Sequence, residues 1–237
     1  RRLDSNKQEN MKLDLFIIGL FMTSAYAIDS DSAKNKYSME FSKPLFSIHQ
    51  ENLKVFLSGD EMKTKGDGIF EMFNVNTRLE NDFRKSNLSS EQAYYNDAQK
   101  LIKFIRSVNL VFDTNKDGAQ LKTDNLSVDL TKELITSNEF AILHLNGSHI
   151  SADGFSYDLK KDTEFLLHFH NGEFIDKNSL ETFGSAESIK LLENNTILLQ
   201  GNASFSQGDL NITAESIYYD YLKKSVTKSF NAKITSG

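Results

Sequence analysis

The chain has 237 residues, 25% of them charged, and a formal net charge of −6. Hydrophobic residues make up 39%, which is enough for a sizeable core and excludes a wholly disordered chain. The acidic balance argues against nucleic acid as a partner, and the absence of Cys excludes disulfides, thiolate catalysis and thiolate-bound metals.

The first feature along the chain is an apolar segment near its start. Residues 1–10 are polar and are interpreted as an upstream segment, whereas residues 11–27 combine Lys12, an apolar run from Leu15 and the ending Ala25-Tyr26-Ala27. This pattern is typical of a signal peptide, and the run is shorter than a membrane-spanning helix needs. We therefore predict export, with residues 11–27 cleaved near Ile28 or retained as an N-terminal anchor. A buried core helix is the alternative.

The remaining chain is dominated by short apolar and alternating runs between clusters of Gly, Asn, Asp and Ser. This pattern predicts strands and turns. Residues 90–106 have apolar positions near helical spacing, but Tyr94-Tyr95 and the β-rich continuation to Phe112 favour strands there too.

A weak repeat runs through this β-rich part. Segments beginning near Leu88, Leu121, Ile150, Gly184 and Ile212 align with one another, each with an acidic residue at its fourth position. A period near thirty residues indicates stacked supersecondary units. The acidic positions are Glu91, Asp124, Asp153, Glu187 and Glu215.

The phase of the apolar pattern changes at the acidic residue. Ile150 and Ala152 share one strand face, whereas Phe155 and Tyr157 occupy the opposite parity after Asp153. Because side chains alternate faces along a strand, the apolar set stays inward only if the chain bends or bulges there. We predict an all-β fold, an elongated β-jellyroll made by folding an antiparallel sheet over an apolar inside with open ends.

Two stretches resemble a known family. Residues 199–220, with Gly201-Asn202 and the Gln207-Gly208-Asp209 turn, resemble the LptA repeat, and residues 38–172 resemble LptC through Phe41–Phe46, Ile135–Asn138 and Ala152–Asp158. The chain is thus similar to the OstA-like family of lipopolysaccharide transport proteins. The resemblance implies a periplasmic β-jellyroll of a Gram-negative bacterium, with an LptC-like roll over 38–172 and an LptA-like repeat over 173–237 continuing the same sheet. Assignment to LptA or to LptC stays open.

The resemblance also implies a function: lipopolysaccharide or another acylated lipid would be passed along an apolar groove from inner to outer membrane. Lys103, Arg106, Lys160 and Lys161 either contact lipid phosphates or form a solvated face. A structural β-roll scaffold or adhesin-like protein without a lipid ligand is the alternative, and a carbohydrate-active enzyme is disfavoured because the repeated acids lie at the corners. The predicted groove residues are Leu126, Val128, Phe155, Tyr157, Ile217 and Tyr219.

Chemistry of other kinds finds little support in the sequence, so no catalytic residue, metal or cofactor is predicted. His168 and His170 would share a strand face, but polar strand positions explain them better than a metal site. Residues 113–118 match half of a calcium loop, yet they fit a hairpin turn between strands better.

The last segment predicts an open edge. Residues 229–235 alternate Phe230, Ala232 and Ile234 with polar residues, which is typical of a half-buried strand. An uncovered edge strand invites pairing with another chain. We therefore predict head-to-tail strand addition, with other bridge components or with a second copy, and a Pro at Ala232 would disturb it.

Overall fold

The computed structural model describes residues 39–50, 52–66, 68–82, 84–112, 119–145, 147–160, 165–177, 181–192 and 194–236. Within these ranges the chain forms one 17-stranded sheet whose paired strands are antiparallel, so the predicted all-β, folded-over fold is confirmed. No helix in the described ranges is long and apolar enough to cross a membrane. The predictions for residues 1–10, 11–27, 113–118 and Lys161 lie outside the described residues.

The strands are short at the start of the chain and mostly ten to twelve residues long afterwards. In chain order they are β1 (Glu40–Ser42), β2 (Leu45–Gln50), β3 (Leu53–Ser58), β4 (Glu61–Thr64), β5 (Ile69–Glu80), β6 (Lys85–Asn96), β7 (Leu101–Phe112), β8 (Gln120–Asp129), β9 (Leu134–Ser137), β10 (Ala141–Leu145), β11 (Ser148–Asp158), β12 (Phe165–Asp176), β13 (Thr182–Leu192), β14 (Thr196–Gln207), β15 (Leu210–Asp220), β16 (Ser225–Phe230) and β17 (Lys233–Ser236).

The sheet is folded into two facing walls that share a corner. β3 pairs with residues 76–80 of β5, whereas β4 pairs with residues 70–73 of the same strand, so each long strand contributes one half to each wall. The first wall contains β2, β3, β10 and β17, and the second wall contains β1, β4, β9 and β16. The strand ends that lie away from the corner form the mouth of the roll.

All five acidic positions of the repeat lie at the corner, where the inward-facing set changes parity. In β11 the buried residues are Ile150 and Ala152 before Asp153, then Phe155 and Tyr157 after it. The same change occurs at the acidic residues of β6, β8, β13 and β15, so the predicted phase change is confirmed.

The intervening strands turn the corner with left-handed residues. Asn74 in β5, Asn171 in β12 and Asn202 in β14 have φ values of 51°, 48° and 46°, a region that Asn tolerates better than most residues. An acidic residue on the preceding strand supports several of these corners. Ser107 donates to Glu91 at 2.8 Å, Asn231 donates to Glu215 at 2.7 Å, and Asn202 donates to Glu187.

The core lies between the walls and is one continuous apolar cluster drawn from nearly every strand. Phe155, Phe169, Phe174, Phe205 and Tyr219 are among its largest fully buried side chains. Burying apolar surface at roughly 25 cal/mol per Å² is the main term that holds the two walls together.

Two sequence predictions are settled by the strand bounds. Residues 90–106 are strand and turn, since β6 ends at Asn96 and β7 begins at Leu101, which confirms the strand interpretation. The prediction of one half-buried strand over residues 229–235 is wrong. Asn231 takes φ 50° and breaks the segment into β16 on one wall and β17 on the other, and Ala232 lies exposed at the corner between them.

The proposed division of the chain at residue 172 falls inside β12, which continues from one wall to the other. The sheet therefore runs through this boundary. The division into an LptC-like part and an LptA-like part stays a prediction.

Candidate functional site

The six residues predicted to line a groove all lie in the second wall, after the corner, with their side chains inward. None is more than 4% exposed. Four of them lie close together on β8 and β11, on either side of β9, whereas Ile217 and Tyr219 lie further along on β15. Their inward position follows from the parity change, and their role in lipid binding stays a prediction.

The facing side of the interior was missed because every predicted residue came from the second wall. Phe112 in the first wall packs edge-on against Tyr157 at 4.9 Å between ring centroids. Phe174 and Phe205 each lie 5.2 Å from Tyr219. Alternation along the first-wall halves of their strands signals these residues as inward-facing, but sequence spacing does not say which aromatic side chains meet across the walls.

Each end of the interior presents an inward-facing apolar side chain to solvent. Phe41 pairs with the buried Met62 in the first strands and is 38% exposed. Ile234 pairs with the buried Ile212 in the last strands and is 61% exposed. The apolar interior therefore continues to both edges of the sheet.

The mouth is closed by polar contacts between the two walls. Asn81 in the turn after β5 donates to the Leu159 carbonyl at 2.7 Å, and Arg84 in the same turn donates to the Asp158 carbonyl. Closer to the end of the roll that carries β1 and β2, Asn52 donates to Glu133 at 3.2 Å. These bonds join turns of the first wall to turns of the second, so the mouth carries a polar row beneath which the apolar core lies.

A second set of cross-wall contacts closes the mouth nearer the end of the roll that carries β16 and β17. Asp176, at the end of β12, forms an ion pair with Lys224 in the turn between β15 and β16. The Tyr219 hydroxyl donates to the same carboxylate at 3.2 Å, and the Gln207 amide donates to the Lys224 carbonyl at 3.3 Å. Asp176 and Gln207 belong to the first wall, and Lys224 and Tyr219 belong to the second.

The electrostatics of the mouth follow from this mixture of burial and charge. Burial raises the pKa of the Tyr157 hydroxyl, and the neighbouring Arg84 cation opposes that shift. Arg84 also lies over the Tyr157 ring, 5.7 Å from its centroid. Tyr157 therefore stays a neutral hydroxyl at physiological pH and presents a hydrogen-bonding group at the boundary between core and mouth.

The predicted cationic rim does not form one surface. Lys103 lies on β7 in the second wall, Arg106 lies at the corner, and Lys160 follows β11 at the mouth. They are exposed at three different places, which favours the solvated-face alternative for Lys103 and Arg106. Lys160 remains close to the mouth residues Asp158 and Leu159.

The histidine pairs lie on outer faces of the roll. The rings of His168 and His170 are 4.5 Å apart, and the His168 Nε2 lies 2.9 Å from the Ser188 hydroxyl. Burial lowers the pKa of His168, and the neighbouring His170 lowers it further. Among the residues that the structure describes, no group of three or more His, Cys, Asp or Glu side chains could hold a metal ion.

Comparison with known proteins adds sequence and structural findings. A sequence model of the family described as lipopolysaccharide-assembly, LptC-related matches residues 29–170. No curated protein sequence matches the chain. The crystal structure of LptH, the LptA-homologous periplasmic component of the lipopolysaccharide transport device of Pseudomonas aeruginosa, aligns with a TM-score of 0.43 and 12% identity, covering 50% of this chain and 94% of that one.

Proposed function

The chain belongs to the LptC-related family of lipopolysaccharide-assembly proteins, and on this premise we propose that it binds lipopolysaccharide or another acylated lipid between its walls. The lipid would be passed along the roll from the inner toward the outer membrane, as a step in outer-membrane assembly. The protein would act by binding alone, as a carrier without catalysis and without a cofactor.

The observation that carries this proposal is the apolar interior that reaches both ends of the sheet. The core cluster is continuous, and Phe41 and Ile234 present inward-facing side chains at the two edges. Moving an acyl chain from water into such surroundings is favourable by about 0.8 kcal/mol per CH₂. A conduit needs this continuity from end to end.

The mouth supports the same proposal through its polar lining. A lipid with acyl chains among Phe155, Tyr157 and Tyr219 would place its headgroup beside Arg84 and Lys224. The interior is filled by side chains in this structure, so binding requires the walls to separate. The groove residues proposed for contact with the acyl chains are Leu126, Val128, Phe155, Tyr157, Ile217 and Tyr219.

The edges suggest how the protein would join a larger assembly. β16 and β17 end the sheet on one side, and β1 and β2 end it on the other. Strand addition at these edges would connect the roll head-to-tail with other bridge components. This assembly would lie in the periplasm of a Gram-negative bacterium, attached to the inner membrane if residues 11–27 are retained.

In-cell photo-crosslinking tests the proposal directly. A photoreactive residue at the inward-facing Tyr157 is expected to crosslink lipopolysaccharide, whereas the same residue at the outward-facing neighbour Ser156 should not. Equal labelling at the two positions, or a folded protein with no label at Tyr157, would favour the lipid-free scaffold instead.

A further inference from the structure

A buried carboxylate and a lysine meet across the mouth near the last end of the roll. The Asp176 side chain is 0% exposed, and the Lys224 side chain is 29% exposed. The carboxylate oxygen that contacts Lys224 also accepts the Tyr219 hydroxyl. Lys224 is thus held at the boundary between solvent and core by a group on the opposite wall.

An ion pair with a buried member generally adds little net stability to a fold. Removing two charges from water is costly, and their mutual attraction offsets that cost only with good geometry, so an apolar pair often stabilises a protein equally well. The pair instead keeps a cation at the mouth. Such a cation can exchange its internal partner for an anion on a ligand at small net cost in free energy.

The position of the pair matches the place where a lipid headgroup must lie. Asp176 and Lys224 lie directly above Tyr219, whose ring packs against Phe174 and Phe205 in the core. Acyl chains among these rings would bring the headgroup to the height of the Lys224 ammonium. A phosphate monoester carries a charge of about −1.5 to −2 at pH 7, which exceeds that of one carboxylate.

We propose that Lys224 binds the phosphate of a phosphorylated lipid, and that Asp176 is the internal anion that this phosphate displaces. The inference rests on the proposed function. It adds a site for the lipid headgroup and a coupling between headgroup binding and separation of the walls. When the phosphate takes Lys224, the cross-wall ion pair is broken, and water replaces Lys224 and Tyr219 beside Asp176 as the two walls separate at this end. Headgroup binding and separation of the walls at this end are therefore linked, because the phosphate binds the open mouth more tightly than the closed one.

The binding test compares two lipids that differ only in the phosphate: a phosphatidic acid and the diacylglycerol with the same acyl chains. The wild-type protein is expected to bind phosphatidic acid at least about tenfold more tightly, as for a hydrogen bond to a charged group. Asp176→Asn removes the competing charge and should strengthen phosphatidic acid binding more than it strengthens diacylglycerol binding. Lys224→Arg should keep the preference.

The control variant removes both charges at once. Lys224→Gln alone would remove the cation that pairs with the buried Asp176, and such a change commonly destabilises a fold. The double variant Asp176→Asn/Lys224→Gln retains two neutral hydrogen-bonding side chains and should bind the two lipids equally. Preservation of the tenfold preference in the folded double variant would overturn the assignment.

A second readout follows the mouth itself. The chain has no Cys, so spin labels at Glu181→Cys and Lys223→Cys, exposed positions on opposite walls, report one distance. Phosphatidic acid should lengthen this distance at a lower lipid concentration than diacylglycerol does in the wild-type background, whereas the two lipids should act at the same concentration in the double variant. If both lipids bind equally to the wild-type protein, the inference fails and the proposed function stands. If neither lipid binds, the proposed function fails as well.

Discussion

The corner and the mouth hold the same two walls by different means. At the corner the contacts are between neighbouring strands, such as Ser107 with Glu91, sixteen residues apart, and the backbone itself is bent by left-handed residues. At the mouth most contacts join residues further apart in the chain, 43 for Tyr219 with Asp176 and 81 for Asn52 with Glu133. The corner is fixed by covalent and local geometry, whereas the mouth depends on polar contacts that water or a ligand can replace.

This difference bears on how a filled interior would admit the lipid that we propose it binds. Separating the walls at the mouth costs a few hydrogen bonds, each worth about 0.5–1.5 kcal/mol, together with the apolar surface exposed. A lipid that refills the interior recovers that apolar term. Opening at the corner would instead require unpairing of the sheet, so the corner acts as the hinge.

The interior that both regions share gives the largest expected effect. Phe155→Asp places a charge where the side chain is 1% exposed and should destabilise the protein by several kcal/mol. Urea unfolding followed by circular dichroism measures the change. Ser156→Asp, on the outer face of the same strand, is the matched control and should change the free energy of unfolding little. Similar losses in both variants would show that the inward assignment is wrong.

A substitution at the corner should lower the free energy of unfolding less than Phe155→Asp does and should leave the contacts of the mouth unaffected. Gly201 has φ 79°, and a Cβ there would lie 2.6 Å from the Glu187 Oε2 and 3.1 Å from its Cβ. Gly201→Ala should therefore destabilise the protein by about 1–2 kcal/mol from the backbone conformation, with a further loss from this contact. Thermal unfolding of Gly201→Ala in the wild-type and Glu187→Ala backgrounds separates the two contributions. A cost that vanishes in the Glu187→Ala background would contradict the backbone contribution.

A smaller change in the free energy of unfolding is expected from Asp220, in the turn that carries Lys224. The Lys223 backbone N–H, 2.9 Å from the Asp220 carboxylate, lowers the pKa of that carboxyl, as does the Lys223 ammonium at 3.1 Å. Because the folded pKa lies below the unfolded value near 4, this stabilisation is present above pH 4 and is lost as the pH falls through the folded pKa.

Unfolding measured from pH 7 to pH 2.5 checks this sign. Asp220→Asn should unfold more easily than the wild-type protein at pH 7, and the difference should shrink toward pH 2.5. A difference that grows as the pH falls would show that the protonated form is the stabilised one.

The sequence predicts the corner well because its signals are local. The parity change at Asp153 needs only the two faces of one strand, and the same holds for Asp124 and Glu215. The left-handed partner on the next strand was not predicted, since nothing in the repeat alignment pairs Glu187 with Asn202. The break at Asn231 was missed for the same reason, because alternation alone does not distinguish one strand from two halves that straddle a corner.

The mouth could not be predicted from the sequence. Its contacts depend on which turns of the two walls face each other, and sheet twist determines that match. Lys224 looks like a residue of a polar turn, and Asp176 looks like the end of a strand before Lys177. Only the folded structure brings them together. The six residues predicted to line a groove face the interior and are buried, but their partners across the walls required the same long-range geometry.

The offset between the walls has a consequence for anything that joins the ends. The β2–β3 turn of the first wall faces the β8–β9 turn of the second wall through Asn52 and Glu133. The two walls are therefore offset from each other along the axis of the roll. The second wall therefore extends beyond the first at the edge near β1, where Phe41 lies. The first wall extends beyond the second at the edge near β17, where Ile234 lies. A chain docking at either end meets a step instead of a flat rim. Such a step would align a docking chain along the axis of the roll and would bring its apolar interior against the interior of this one.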